Sequence, residues 1–113
     1  MAKVVAYVPD LLFGSSVQAM VRSAGHECSL VATIDGADLT AADAVIIDLT
    51  ADSEQRLDSA ATAIASLPTL AFYSHVEGAV RTAAIDAGVS IVVPRSRMAR
   101  EGEALVTRLL EGP

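Results

Sequence analysis

Asp43-Ala44-Val45-Ile46-Ile47-Asp48-Leu49 decides the fold class. Four apolar residues, three of them β-branched, stand between two carboxylates. A run with no polar alternation is a strand covered on both faces, as in a parallel sheet with helices above and below it. The rest of the chain repeats the theme. Lys3-Val4-Val5-Ala6-Tyr7-Val8, Cys28-Ser29-Leu30-Val31-Ala32-Thr33, Thr69-Leu70-Ala71-Phe72-Tyr73 and Ile91-Val92-Val93 read as four further strands. Pro9-Asp10 stops the first of these and Pro94 the last.

Helical patterns fill the intervals. From Phe13 to Ala24 the apolar residues Phe13, Val17, Met20, Val21 and Ala24 recur at helical spacing, and Gly25 follows as the C′ residue. The stretch from Asp35 to Ala42 allows at most a short helix. Another helix begins near Asp52 or Ser53, carries Leu57, Ala60, Ile64 and Leu67 on one stripe, and ends at Pro68. Ser74-His75-Val76-Glu77 has the form of a capping box. It opens a helix expected to turn Val76, Val80, Ala83 and Ala87 inward and to close at Gly88. A last helix, from Ser96 to Leu110, buries Met98, Leu105, Val106 and Leu109.

Five β units alternating with helices within 113 residues predict one α/β domain spanning 1–113. Right-handed crossovers favour a flavodoxin-like three-layer sandwich, a five-stranded parallel sheet in the order 2-1-3-4-5. In that order the topological switch lies between the first and third strands. Ligands and chemistry belong beyond the carboxyl ends of the strands there. The segments that matter are therefore Val8 to Ser16, Asp48 to Asp52, Ser74 to Glu77 and Pro94 to Arg97.

Composition narrows the function classes. Hydrophobic residues make up 52% and charged residues 19%, enough to build a core. Eight basic against fourteen acidic residues give a net charge of −6, which argues against nonspecific binding to nucleic acid or anionic membranes. No apolar run has the length of a membrane span, and a cytoplasmic location is expected. Cys28 is the single cysteine, so neither an internal disulfide nor a cysteine-cluster zinc site can form.

The chain resembles the receiver domains of bacterial response regulators from Lys3 to Leu110. The resemblance rests on the order of elements, on Ala24-Gly25-His26-Glu27 before the second strand, on Asp43 to Leu49, and on Ala87-Gly88 before the fifth strand. It implies a phosphoryl group accepted by a carboxylate ending the third strand, and Mg²⁺ held with the help of two acidic residues after the first. It also implies a hydroxyl after the fourth strand and a lysine after the fifth. Asp48 stands at the acceptor position, and Ser74 at the hydroxyl position. The other parts depart from the pattern. Val8-Pro9-Asp10 offers one carboxylate instead of an adjacent pair, so Asp10 and Asp48 are weak Mg²⁺ candidates and no other cofactor is implied. Pro94-Arg95 replaces the lysine, leaving Arg95 or Arg97 as substitute cations. Arginine's planar fork does not simply replace a flexible ammonium.

Each of these residues also has a plain structural role open to it. Asp48 caps the loop it enters, Asp10 caps the first helix, and Ser74 belongs to the capping box. Arg95, Arg97 and Arg100 form a solvated basic cluster that also makes a candidate interface. His26 follows a helix-ending glycine without a second ligand at metal spacing, and His75 reads as a surface residue. Gly14-Ser15-Ser16 lacks the G-x-G-x-x-G pattern and the P-loop lysine, so it reads as a helix start rather than a phosphate cradle. The D-x-H-x-x-G signature of corrinoid-binding domains is absent.

These departures predict a stand-alone, degenerate receiver-like signalling domain that is not an enzyme. It acts through an unidentified protein partner, without conventional phosphorylation of Asp48. No effector segment follows Leu110, so output is expected through docking, with a homodimer through the last two helices and fifth strand as one arrangement. The alternatives are an active single-domain regulator phosphorylated on Asp48 by a histidine kinase, with Arg95 as its cation, and a small-molecule or nucleotide binder near Gly14 to Ser16.

Overall fold

The computed structural model describes residues 1–35, 38–74 and 78–112. Strands β1 (Lys3–Tyr7), β2 (Glu27–Val31), β3 (Ala44–Asp48), β4 (Thr69–Tyr73) and β5 (Ile91–Pro94) form one parallel sheet. Their order is β2-β1-β3-β4-β5, the predicted topology. Helices α1 (Leu11–Ser23), α2 (Ser53–Ser59), α3 (Ala61–Ser66), α4 (Gly78–Ala87) and α5 (Arg95–Glu111) cover its two faces.

Alternation along each strand divides the core into two layers. Val4, Ala6, Ile46, Leu70, Phe72 and Val93 pack with Val17 and Val21 of α1 and with Met98, Leu105 and Leu109 of α5. Val5, Tyr7, Val45, Ile47, Ala71 and Tyr73 pack on the other side with Ala63 and Ile64 of α3 and Val80 and Ala84 of α4. Both faces are covered, so the strands have no reason to alternate with polar residues.

Several boundaries differ from the sequence reading. β1 ends at Tyr7, although Val8 stays buried and donates its N–H to the Val31 carbonyl at 3.2 Å. β2 begins at Glu27 and stops at Val31, short of Thr33. No helix joins β2 to β3 among the described residues. The helix expected between Asp52 and Leu67 is two, broken at the buried Ala60 (φ −92, ψ 3). The capping box falls outside the described residues apart from Ser74, as does the inward placement of Val76. Ala83 and Ala87 are exposed, not inward. Val80 and Ala84, four residues apart, carry the buried stripe of α4 and rotate those two alanines out. Pro94 belongs to β5, opposite Tyr73, at a sheet edge where a missing N–H is tolerated. α5 therefore starts directly at Arg95 rather than Ser96.

Two glycines let α1 approach its neighbours. A Cβ on the buried Gly14 would sit 3.0 Å from a methyl of Leu30 and 3.2 Å from the Val8 carbonyl oxygen. Gly14 is thus a packing residue inside α1, not part of a phosphate loop. A Cβ on Gly102 would lie 2.2 Å from the Met20 sulfur, beside the bend that α5 makes at Glu101 (φ −122, ψ 19). Gly14→Val is expected to destabilise the fold by about 1–3 kcal/mol, the usual cost of overpacking against backbone. Urea unfolding should show this as a lower midpoint with an unchanged slope.

Cys28 is buried in the α1 and α5 layer, and burial pushes its thiol up to about 11. The unfolded chain loses this proton first, near pH 9, so stability is complete below that and falls as pH rises from 9 to 11. The loss expected is about 2–3 kcal/mol. Cys28→Ala should lack this alkaline slope, and the native thiol should react with a disulfide reagent at pH 8 far more slowly than the unfolded one.

Candidate functional site

Asp48 closes β3 at the carboxyl edge of the sheet, paired in register with Phe72 of β4 and only 2% exposed. Both of its carboxylate oxygens have a partner. Oδ1 accepts the Thr50 backbone N–H at 2.8 Å and the Thr50 hydroxyl at 2.5 Å. Oδ2 faces Nη1 of Arg56 at 3.3 Å, and the same nitrogen donates to the Asp48 main-chain carbonyl at 3.1 Å. The Arg56 side chain is 13% exposed, and its other terminal nitrogen lies 4.0 Å from Asp52.

Local sequence explains this clasp. The carboxylate of Asp48 bonding the backbone two residues on is an Asx turn, and the threonine there adds its hydroxyl. Asp52 then takes a left-handed backbone (φ 48, ψ 40), a conformation aspartate tolerates better than most residues, and starts α2. One turn later the Arg56 N–H bonds the Asp52 carbonyl at 2.9 Å, and the arginine side chain turns back over Asp48.

Asp10, Arg95, Arg97, Arg100 and His26 are engaged elsewhere. Asp10 is exposed at the N-cap of α1, where Oδ1 accepts the Phe13 N–H at 3.0 Å. Among the described residues the cation paired with Asp48 is Arg56, and Arg95 lies elsewhere. Its guanidinium carbon sits 4.6 Å from the centroid of the Phe13 ring, which in turn lies 4.7 Å from the Phe72 ring. Arg97 and Arg100 both meet the Glu101 carboxylate, at 3.4 and 3.3 Å. Ser74 is half-buried immediately after β4. His75 lies outside the described residues. His26 accepts the Ala2 N–H on Nδ1 at 3.0 Å, which fixes the chain entering β1 and uses a ring nitrogen a metal would need.

The structure thus gathers Asp48, Thr50, Asp52 and Arg56, and leaves Asp10, Arg95, Arg97 and Arg100 to local contacts. Among the described residues no three acidic, histidine or cysteine side chains converge as a metal site. No helix among them is long and apolar enough to cross a membrane.

No protein family and no curated protein sequence matches the chain. Solved structures do. A response regulator receiver protein from Burkholderia phymatum superposes with a TM-score of 0.80 at 18% identity, covering 98% of this chain and 96% of that one. The non-phosphorylated HemR receiver domain from Leptospira biflexa gives 0.81 at 15% identity, over 100% and 97%. The fold is the receiver fold. A receiver protein from Pseudoalteromonas atlantica agrees, at 0.81 and 11% identity over 97% and 98% of the two chains. Set on the receiver fold, Asp48 occupies the end of β3 that the sequence resemblance assigned to the phosphoacceptor.

Thr50 and Arg56 escaped the sequence reading. Asp48-Leu49-Thr50 carried a legible signal, an aspartate with a hydroxyl two residues on. Arg56 is the only lysine or arginine between Arg22 and Arg81. Its i, i+4 spacing from Asp52 marks no more than a helical pair.

Proposed function

We propose that the chain is a degenerate receiver-like signalling domain that acts by protein–protein contact, without phosphorylation of Asp48. The engagement of the Asp48 carboxylate by Thr50 and Arg56 carries this reading. A nucleophilic carboxylate must offer an oxygen lone pair to phosphorus, and a bound Mg²⁺ would supply charge neutralisation there. Here Oδ1 already accepts two hydrogen bonds, and a guanidinium covers Oδ2. Arg56 supplies positive charge but no coordination sites. Asp10 spends its carboxylate on a helix N-terminus, so the oxygen donors do not fit a Mg²⁺ ion as they stand. Mg²⁺ is expected to bind in the millimolar range or not at all, since hard-cation affinity follows ligand charge and rigidity. Micromolar affinity in a calorimetric titration would contradict this.

Output then rests on a surface that is always presented. The face built by α4, β5 and the start of α5, with exposed Arg95 and Arg100, is the one offered to a protein partner. The test is an amide NMR titration with Mg²⁺ and beryllofluoride, a mimic of the aspartyl phosphate. The expected result is unchanged resonances for Thr50, Tyr73 and Ser74. Saturable shifts at those residues, lost in Asp48→Ala, would instead favour an active regulator.

A further inference from the structure

From two unlike surfaces, we infer that this chain associates with a second copy of itself head to tail, Leu11 and Leu12 of one copy entering the groove between α2 and α4 of the next. Leu11 and Leu12 are 79% and 86% exposed, adjacent in the first turn of α1. Single exposed leucines are ordinary, but a pair at a helix start, kept in water, is not. Phe13, in the same turn, carries Arg95 over its ring, so a cation stands near the apolar knob along with the exposed N-cap carboxylate of Asp10.

The groove has the complementary character. It measures about 470 Å³ and is lined by Leu57, Val80, Ala83 and Ala87 and by the acidic Glu54 and Asp58. Arg56 lies between those two acids in sequence but turns inward to Asp48, so it leaves the rim of α2 acidic. An aliphatic knob with a cation meets an apolar trough with carboxylates, which gives both contact area and a preferred register.

The geometry also dictates the symmetry. α1 packs on one face of the sheet, α3 and α4 on the other, so no molecule can seat its own knob. Each copy keeps one free knob and one free groove, so the contact is heterologous and propagates into chains. So small a contact implies weak, reversible and salt-sensitive association.

Sedimentation velocity and small-angle scattering on the 113-residue chain, from micromolar to millimolar, provide the test. Wild type is expected to grow with concentration and to shrink as salt rises. Leu11→Ser/Leu12→Ser removes the knob, and Ala83→Glu, at an exposed position, blocks the groove. Each variant alone should stay monomeric. Mixed one to one, they should form a heterodimer that grows no further, because one intact knob meets one intact groove; this product also shows that both variants fold. A wild type that remains monomeric throughout would overturn the inference. So would a symmetric dimer that both variants retain, or a mixture that stays monomeric.

Discussion

Replacing Arg56 with methionine is expected to cost about 3–5 kcal/mol of folding stability, the range found when one partner of a buried ion pair is removed. Methionine keeps much of the volume, so the loss would come from charge rather than from a void. Asp48, 2% exposed, would keep its two bonds from Thr50 but lose its counter-charge. The second substitution shows the mechanism. Asp48→Asn in the Arg56→Met background removes the stranded charge and retains an acceptor for Thr50, so the double variant should be more stable than Arg56→Met alone. Urea unfolding of the four proteins gives the coupling directly. Arg97 provides a contrast, because its contact with Glu101 is half-exposed and its replacement by alanine should change stability by no more than about 0.5 kcal/mol. If Arg56→Met proved as mild as Arg97→Ala, the clasp would not hold the site together.

Phosphoryl transfer to Asp48 is expected to run roughly 10⁴-fold or more below the rate of a receiver with a complete cluster. Catalysis of this reaction is almost wholly positioning and charge neutralisation. Donor and carboxylate are both anionic, so they approach only across cations held in place. By the receiver resemblance, Val8-Pro9-Asp10 would supply one carboxylate where two are expected, and Pro94-Arg95 would stand where a lysine is expected. If each missing contact costs about 2.7–4 kcal/mol, as for an oxyanion-hole donor, two of them account for that factor. Arg95 recovers none of it while it is stacked on Phe13. Arg56 worsens the case, since Oδ2 must leave its ion pair before it can attack.

The fold was legible because its signals are local and redundant. Val45-Ile46-Ile47 can only be buried on both faces, and each strand is bounded by proline, glycine or a carboxylate. The break at Ala60 and the phase of α4 were not legible. Alanine-rich helices tolerate several rotations about their axes, and tertiary packing chose Ala84 over Ala83. The site was half legible. A carboxylate had to end β3, and the absent partners could be read from Pro9 and Pro94-Arg95. Which cation meets Asp48 could not be read. That depended on the left-handed turn at Asp52, which aims Arg56 inward, and on Phe13, which draws Arg95 away.

Whether Asp48 accepts a phosphoryl group is decided by intact-mass spectrometry after incubation with acetyl phosphate and Mg²⁺, beside an Asp48→Ala control. Wild type and control are expected to give the same spectrum, with no species heavier by one phosphoryl group. A substantial phosphoryl adduct on the wild type, absent from Asp48→Ala, would contradict that expectation and make Asp48 a working acceptor.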